Sequence, residues 1–228
     1  MMGYYSFYAV TIVLSLLGMI VSGVLKRKFS KYSRVPLGAG LTGREVAQKM
    51  LDYYDIKGVQ IVQSRGRLSD HYNPLTRTVN LSPEVYNGRS VASAAVAAHE
   101  CGHVVQHATA YSMLMLRSRL VPVVNVAARM QQYLLIGAFI LMAQFPQILL
   151  VAIAAFMITA LFSFITLPVE FDASKRALNW LDNEGITQGE EYDGAKDALT
   201  WAAMTYVAAA LSALVMVLYL VLRYSSRN

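Results

Sequence analysis

No disulfide can close within this chain, because its 228 residues include a single cysteine, Cys101. Charge is scarce as well: 15% of residues are charged and 56% are hydrophobic, a balance too apolar for an ordinary soluble domain. The formal charge of +6 is unevenly spread, with no basic residue in 1–25 and none from Met130 to Ser174. That patterning marks membrane spans and their flanks and argues against a nucleic-acid surface. Internal repeats and low-complexity tracts are missing too. The first apolar run has no basic region ahead of it and no small-residue cleavage site behind it, which predicts a retained anchor and not a removable signal.

The chemistry that is present gathers around His99-Glu100-Cys101-Gly102-His103, which follows the apolar run Ala94–Ala98. The surround reads as a buried helix, expected from about Ser90 to His107. Residues four apart share a helix face, so His99 and His103 can offer their imidazoles to one ion, and neutral imidazole suits zinc. Glu100 points about 100° away, where it can take a proton from a water instead of ligating. An unpaired carboxylate in a buried helix costs several kcal/mol, on the order of the desolvation penalty of an ion, so chance is a poor explanation for it. Gly102 allows a close backbone approach. Cys101 faces another way: it reads as a small buried residue, with a ligand or redox sensor as the alternative.

Upstream, Thr42 and Glu45 form a capping box that opens a helix to about Tyr54, with Val46, Ala47, Met50 and Leu51 inward. Short strands are expected at Val59–Val62, Asp70–Tyr72 and Arg77–Leu81. Ser82 and Pro83 then start a helical turn. An open strand edge would hold an extended peptide over a metal; the alternative is a sheet that merely roofs the helix.

Gly3–Leu25 is an uncharged apolar run of 23 residues, roughly 34 Å long as a helix and enough to cross a bilayer. The cluster Lys26-Arg27-Lys28, with Lys31 and Arg34, places residue 26 onward in the cytoplasm. Residues 111–130, with Arg117, Arg119 and Arg129, suit an interfacial helix. Tyr133–Phe145 crosses only by borrowing from the stretch after Pro122, with Gln131 and Gln132 inside the protein, so a full crossing stays open. Gln147–Pro168 follows as a second apolar run, the two being joined at Gln144–Gln147. Glu170 and Asp172 stand at its exit, either as a solvated flank or as the source of a missing ligand. An acidic loop from Asp182 to Asp197 and a last span, Trp201–Leu222, complete the chain. The expected organisation is an anchor over 1–25, a cytoplasmic catalytic region over 26–120, a transmembrane hairpin over 121–168, a cytoplasmic segment over 169–200 and a C-terminal transmembrane helix over 201–223.

With these stretches in hand, the chain resembles the YugP-like neutral zinc metallopeptidases of bacterial membranes. The resemblance rests on Leu68–Pro74, Ala97–His107 and Leu167–Ser174, with a weaker match over Ala202–Ala208. In the order of its parts it is also similar to HtpX-type and CAAX-prenyl proteases. The resemblance implies a mainly α integral membrane metalloprotease with a cytoplasmic zincin-like α+β region and a small sheet. It also implies a gluzincin-like site in which zinc is held by His99, His103 and a downstream glutamate, here Glu170. A metzincin would need histidine at position 109, which is Thr109. His107 is expected as a hydrogen-bonding neighbour. His71 is expected either to steady the oxyanion or to make a structural bond within its hairpin. Asp172, about 200° round a helix from Glu170, is expected to bond a ligand imidazole.

The resulting expectation is a multi-pass membrane endopeptidase facing the cytoplasm. It would act on peptides or membrane proteins in turnover or quality control, with the bilayer and an unidentified membrane protein or second copy as partners. The rival is a non-catalytic membrane scaffold whose structural zinc takes a fourth ligand from Cys101 or Asp172.

Overall fold

The computed structural model describes residues 2–141 and 147–226. In chain order the elements are α1 (Met2–Tyr32), α2 (Gly43–Tyr53), β1 (Gln60–Gln63), β2 (His71–Asn73), β3 (Thr78–Leu81), α3 (Pro83–Tyr86), α4 (Val91–Ala108), α5 (Ser112–Leu141), α6 (Gln147–Asn183) and α7 (Glu190–Ser225). They form two compact units, and α1, α5, α6 and α7 each contribute residues to both.

One unit comprises Ser22–Leu114 and Val169–Met204. Its core joins α2, α4 and the sheet, with Val46, Ala47, Met50, Val79, Leu81, Ala97 and Ala98 all buried. The capping box forms as expected: the Glu45 amide donates to the Thr42 hydroxyl and the Thr42 amide to the Glu45 carboxylate. The strands lie within about a residue of their expected bounds. Their order is β1-β3-β2, with β1 parallel and β2 antiparallel to β3, so β2 is an edge strand. The Asn73 side chain closes the β2–β3 turn by accepting from the Leu75 and Thr76 amides. Ser82 is the N-cap residue of α3 and Pro83 opens it, as expected; the Ser82 hydroxyl makes no cap bond, and the Ser82 amide donates to Asp70 at 2.6 Å.

The other unit comprises Met1–Val21, Met115–Pro168 and Thr205–Asn228. Leu149, Ile153, Met216 and Leu220 are buried there, packed by Phe7, Leu14, Leu135 and Phe156. Large apolar side chains such as Ile12, Val13, Met19, Ile20 and Leu161 are exposed, as a bilayer solvent allows. Three helices, Tyr5–Tyr32, Gln147–Asn183 and Glu190–Ser225, are long and apolar enough to cross a membrane. The further crossing left open over 133–145, and its joint at Gln144–Gln147, fall partly outside the described residues.

Several local expectations are corrected. Asp182–Asp197 is not a loop: α7 begins at Glu190, and Glu190, Glu191 and Asp193 in its first turn favour the positive end of the helix dipole. Pro168 does not end α6 but lies inside it, a position that helices of apolar surroundings tolerate where neighbouring groups satisfy the backbone. The interfacial helix and the short apolar run merge into α5, with Pro122 inside. Gln131 is held, donating to Ala155 O at 3.0 Å and Thr159 Oγ1 at 2.8 Å. Gln132, expected inside beside it, is exposed.

Candidate metal centre

The centre is built on α4, an alanine-rich helix of 18 residues that starts at a Ser90 cap. Small side chains let neighbouring elements close on it from several sides, so an 18-residue amphipathic stripe is unnecessary: most of the helix is buried. His99 and His103 stand one turn apart with ring centroids 4.8 Å from each other. Both Nε2 atoms face Glu170 of α6, whose Oε2 lies 3.4 Å from His99 Nε2 and 3.5 Å from His103 Nε2. Glu170 is only 2% exposed, a depth at which a carboxylate requires cationic or metal company.

Gly102 is what lets α6 come so near. A Cβ there would sit 2.6 Å from the Ala173 carbonyl oxygen, so any other residue would push α6 and its Glu170 away from the two histidines.

Glu100 is buried beside this cluster but outside it. Its Oε2 accepts the Tyr72 backbone amide at 2.9 Å. Tyr72 is the middle residue of the edge strand β2, and its side-chain hydroxyl meets His107 Nδ1 at 3.2 Å. His107 therefore bonds a neighbour, as expected of it. His71 is exposed on the same strand, with its Nδ1 bonded to the Ser69 carbonyl at 2.8 Å, two residues back in the segment that leads into β2. Asp172 reaches a ligand imidazole only through an intermediary: its Oδ2 accepts from Gln106 Nε2 at 2.8 Å and from Arg176 Nε at 2.6 Å. Cys101 is fully buried with its Sγ 3.6 Å from the Ala47 carbonyl. Burial pushes its thiol pKa up, and the thiol is not part of the His99–His103–Glu170 donor group.

Two site residues escaped the reading of the sequence. Gln106, wholly buried, places Oε1 3.0 Å from His103 Nδ1. Ser174 places its hydroxyl 3.1 Å from His99 Nδ1. A helical signal existed for each, since Gln106 lies three residues beyond His103 and Ser174 four beyond Glu170. For His103, burial alone would lower the imidazole pKa, but the hydrogen bond to Glu170, the Glu100 and Glu170 charges and the bond to Gln106 together raise it.

The donor set fits a metal. One ligand atom from each of His99, His103 and Glu170 lies within 4.8 Å of the others. Donors at zinc–ligand distances of about 2.0–2.1 Å in a tetrahedron stand roughly 3.3 Å apart, close to the two histidine–glutamate separations. Two imidazoles and one carboxylate also form the donor chemistry zinc takes in open, three-ligand sites. Among the described residues no fourth His, Cys, Asp or Glu joins the group.

The profile of a family described as “Putative neutral zinc metallopeptidase” matches residues 7–225. Over 190 residues the chain is 42% identical to “Putative membrane protease YugP” of Bacillus subtilis (strain 168), a match covering 83% of this chain and 84% of that one. No solved structure matches.

Proposed function

Because this chain belongs to the family described as “Putative neutral zinc metallopeptidase”, we propose that it is a membrane-anchored, gluzincin-like endopeptidase that hydrolyses peptide bonds. The observation that carries this reading is the placement of a buried carboxylate, Glu100, next to but outside a convergent His99–His103–Glu170 donor set. A purely structural metal site has no use for such a group.

His99, His103 and Glu170 would hold the zinc. When bound, zinc supplies Lewis acidity, polarising a carbonyl and bringing the pKa of a water to about 7. Glu100 does the proton work: it accepts a proton from the attacking water and delivers it to the leaving amine. The Tyr72 amide holds the carboxylate of Glu100 in place for both transfers. Because β2 is an edge strand whose central amide already points at Glu100, an extended substrate backbone running beside β2 would carry its scissile bond to the same spot. Peptides and membrane proteins are the substrates this arrangement serves, in membrane protein turnover or quality control.

The purified full chain in detergent should cleave an unstructured peptide mixture, lose cleavage on treatment with a strong chelator and regain it with added zinc. Cleavage that persists in metal-free protein rejects the reading.

The proposal includes an orientation: the basic cluster of residues 26–34 puts the metal centre in the cytoplasm. Cysteines introduced as Ser64→Cys or Glu190→Cys in a Cys101→Ala background should resist an impermeant thiol reagent in intact cells and react after permeabilisation. Labelling of either from outside reverses the orientation.

A further inference from the structure

A neutral imidazole carries one N–H and one lone pair, and a metal needs the lone pair on the nitrogen that faces it. At His99 the Nδ1 partner is a hydroxyl, which can donate or accept, so Ser174 leaves the proton's position open. At His103 the partner is a carboxamide, and here the surroundings decide. The Gln106 Nε2 group faces two acceptors, the Val169 carbonyl at 2.8 Å and Asp172 Oδ2 at 2.8 Å. Both of its hydrogens are thereby used. Turning the amide over would set Oε1 against two oxygens in a place with no solvent, since Gln106 is 0% exposed. Oε1 is therefore held toward His103 Nδ1, and a carboxamide oxygen can only accept.

We propose that Gln106 is a positioning residue that keeps the His103 proton on Nδ1 and so presents the Nε2 lone pair to the metal. The proposal rests on the reading that His99, His103 and Glu170 bind zinc. Its chain of cause runs inward from the surface. Arg176, stacked over the Tyr111 ring at 5.9 Å, holds Asp172 at 2.6 Å; Asp172 and Val169 orient the Gln106 amide; the amide orients His103. Residues 169–174 of α6 thus do more than supply Glu170. They set the imidazole on α4 that Glu170 must share a metal with.

A packing role and a hydrogen-bonding role predict opposite orders for two variants of the full chain. Gln106→Leu keeps an apolar side chain of similar size but has no acceptor. Gln106→Glu keeps an oxygen toward Nδ1, and its second oxygen, set between the Val169 carbonyl and Asp172 Oδ2, holds a proton that it donates to Asp172. Zinc dissociation constants, measured by competition with a chromogenic chelator, should rise about 10–100-fold for Gln106→Leu and less for Gln106→Glu. Binding by Gln106→Leu as tight as, or tighter than, Gln106→Glu overturns the role.

A second measurement needs no variant that could misfold. In the zinc-free wild-type full chain labelled with nitrogen-15 at its four histidines, held at a pH where imidazole is neutral, the His103 proton should reside on Nδ1, opposite Gln106 Oε1. A proton on Nε2 overturns the proposal. Glu170→Ala, run alongside, separates the two levels: full zinc affinity in that variant, or none in wild type, rejects the site itself and not merely the part played by Gln106.

Discussion

Glu100→Gln should keep its zinc and lose peptide cleavage by at least about a thousandfold in kcat, within the range that removal of a general acid–base commonly costs. The substitution is nearly isosteric, and the amide oxygen can still accept the Tyr72 N–H that now meets the carboxylate at 2.9 Å. Geometry around the donor set is therefore preserved, and replacing a buried charge by a neutral amide relieves a desolvation penalty without adding one. What disappears is the capacity to take a proton from water and return it to the departing amine. Metal analysis and single-turnover peptide cleavage on the same preparation test the two halves separately. Unchanged cleavage removes Glu100 as the proton carrier; loss of zinc as well as cleavage makes it part of the metal-binding apparatus.

Glu170→Ala should deplete zinc as severely as His99→Ala. Each removes one of three donors, and three protein donors are the fewest that an open catalytic zinc site keeps. Glu170 Oε2 lies 3.4–3.5 Å from both imidazole nitrogens, so no imidazole can compensate by turning. Asp172→Ala is the informative contrast. Asp172 is as acidic and only two residues away, yet it touches the ligands only through Gln106, whose amide the Val169 carbonyl continues to hold. That variant should retain most of its zinc. Metal content of the three purified proteins decides between them, and a zinc-replete Glu170→Ala chain rejects Glu170 as a ligand.

Much of the unit that holds the metal centre was legible in the sequence. Helical period alone puts His99 and His103 on one face and Cys101 off it, and the capping box and the three strands are local patterns with local physical causes. The end of the acidic stretch was misread because carboxylates look like a solvated loop until the helix dipole that favours them is in place. Pro168, the last residue of the apolar run, lies inside α6, where the single missing amide is a local cost that the rest of the helix outweighs.

By itself the sequence determined that this chain has the composition of a membrane protein and that α4 carries two imidazoles and a carboxylate at helical spacing. These are properties of composition and of a 3.6-residue repeat, and they need no partner element. The family resemblance already pointed to Glu170; how near it comes to the two imidazoles, and what holds their far nitrogens, only the tertiary structure shows. Glu170 and Asp172 are both acidic and two residues apart, yet Glu170 lies 3.4–3.5 Å from the imidazole nitrogens and Asp172 meets Gln106, on a helix packed against Gly102, where a carbonyl stands too close for any side chain. Gln106, Ser174 and the Tyr72 amide gain their meaning in the same way. Hydrogen-bond direction is a property of pairs, and the other member of each pair lies 28 to 75 residues away along the chain.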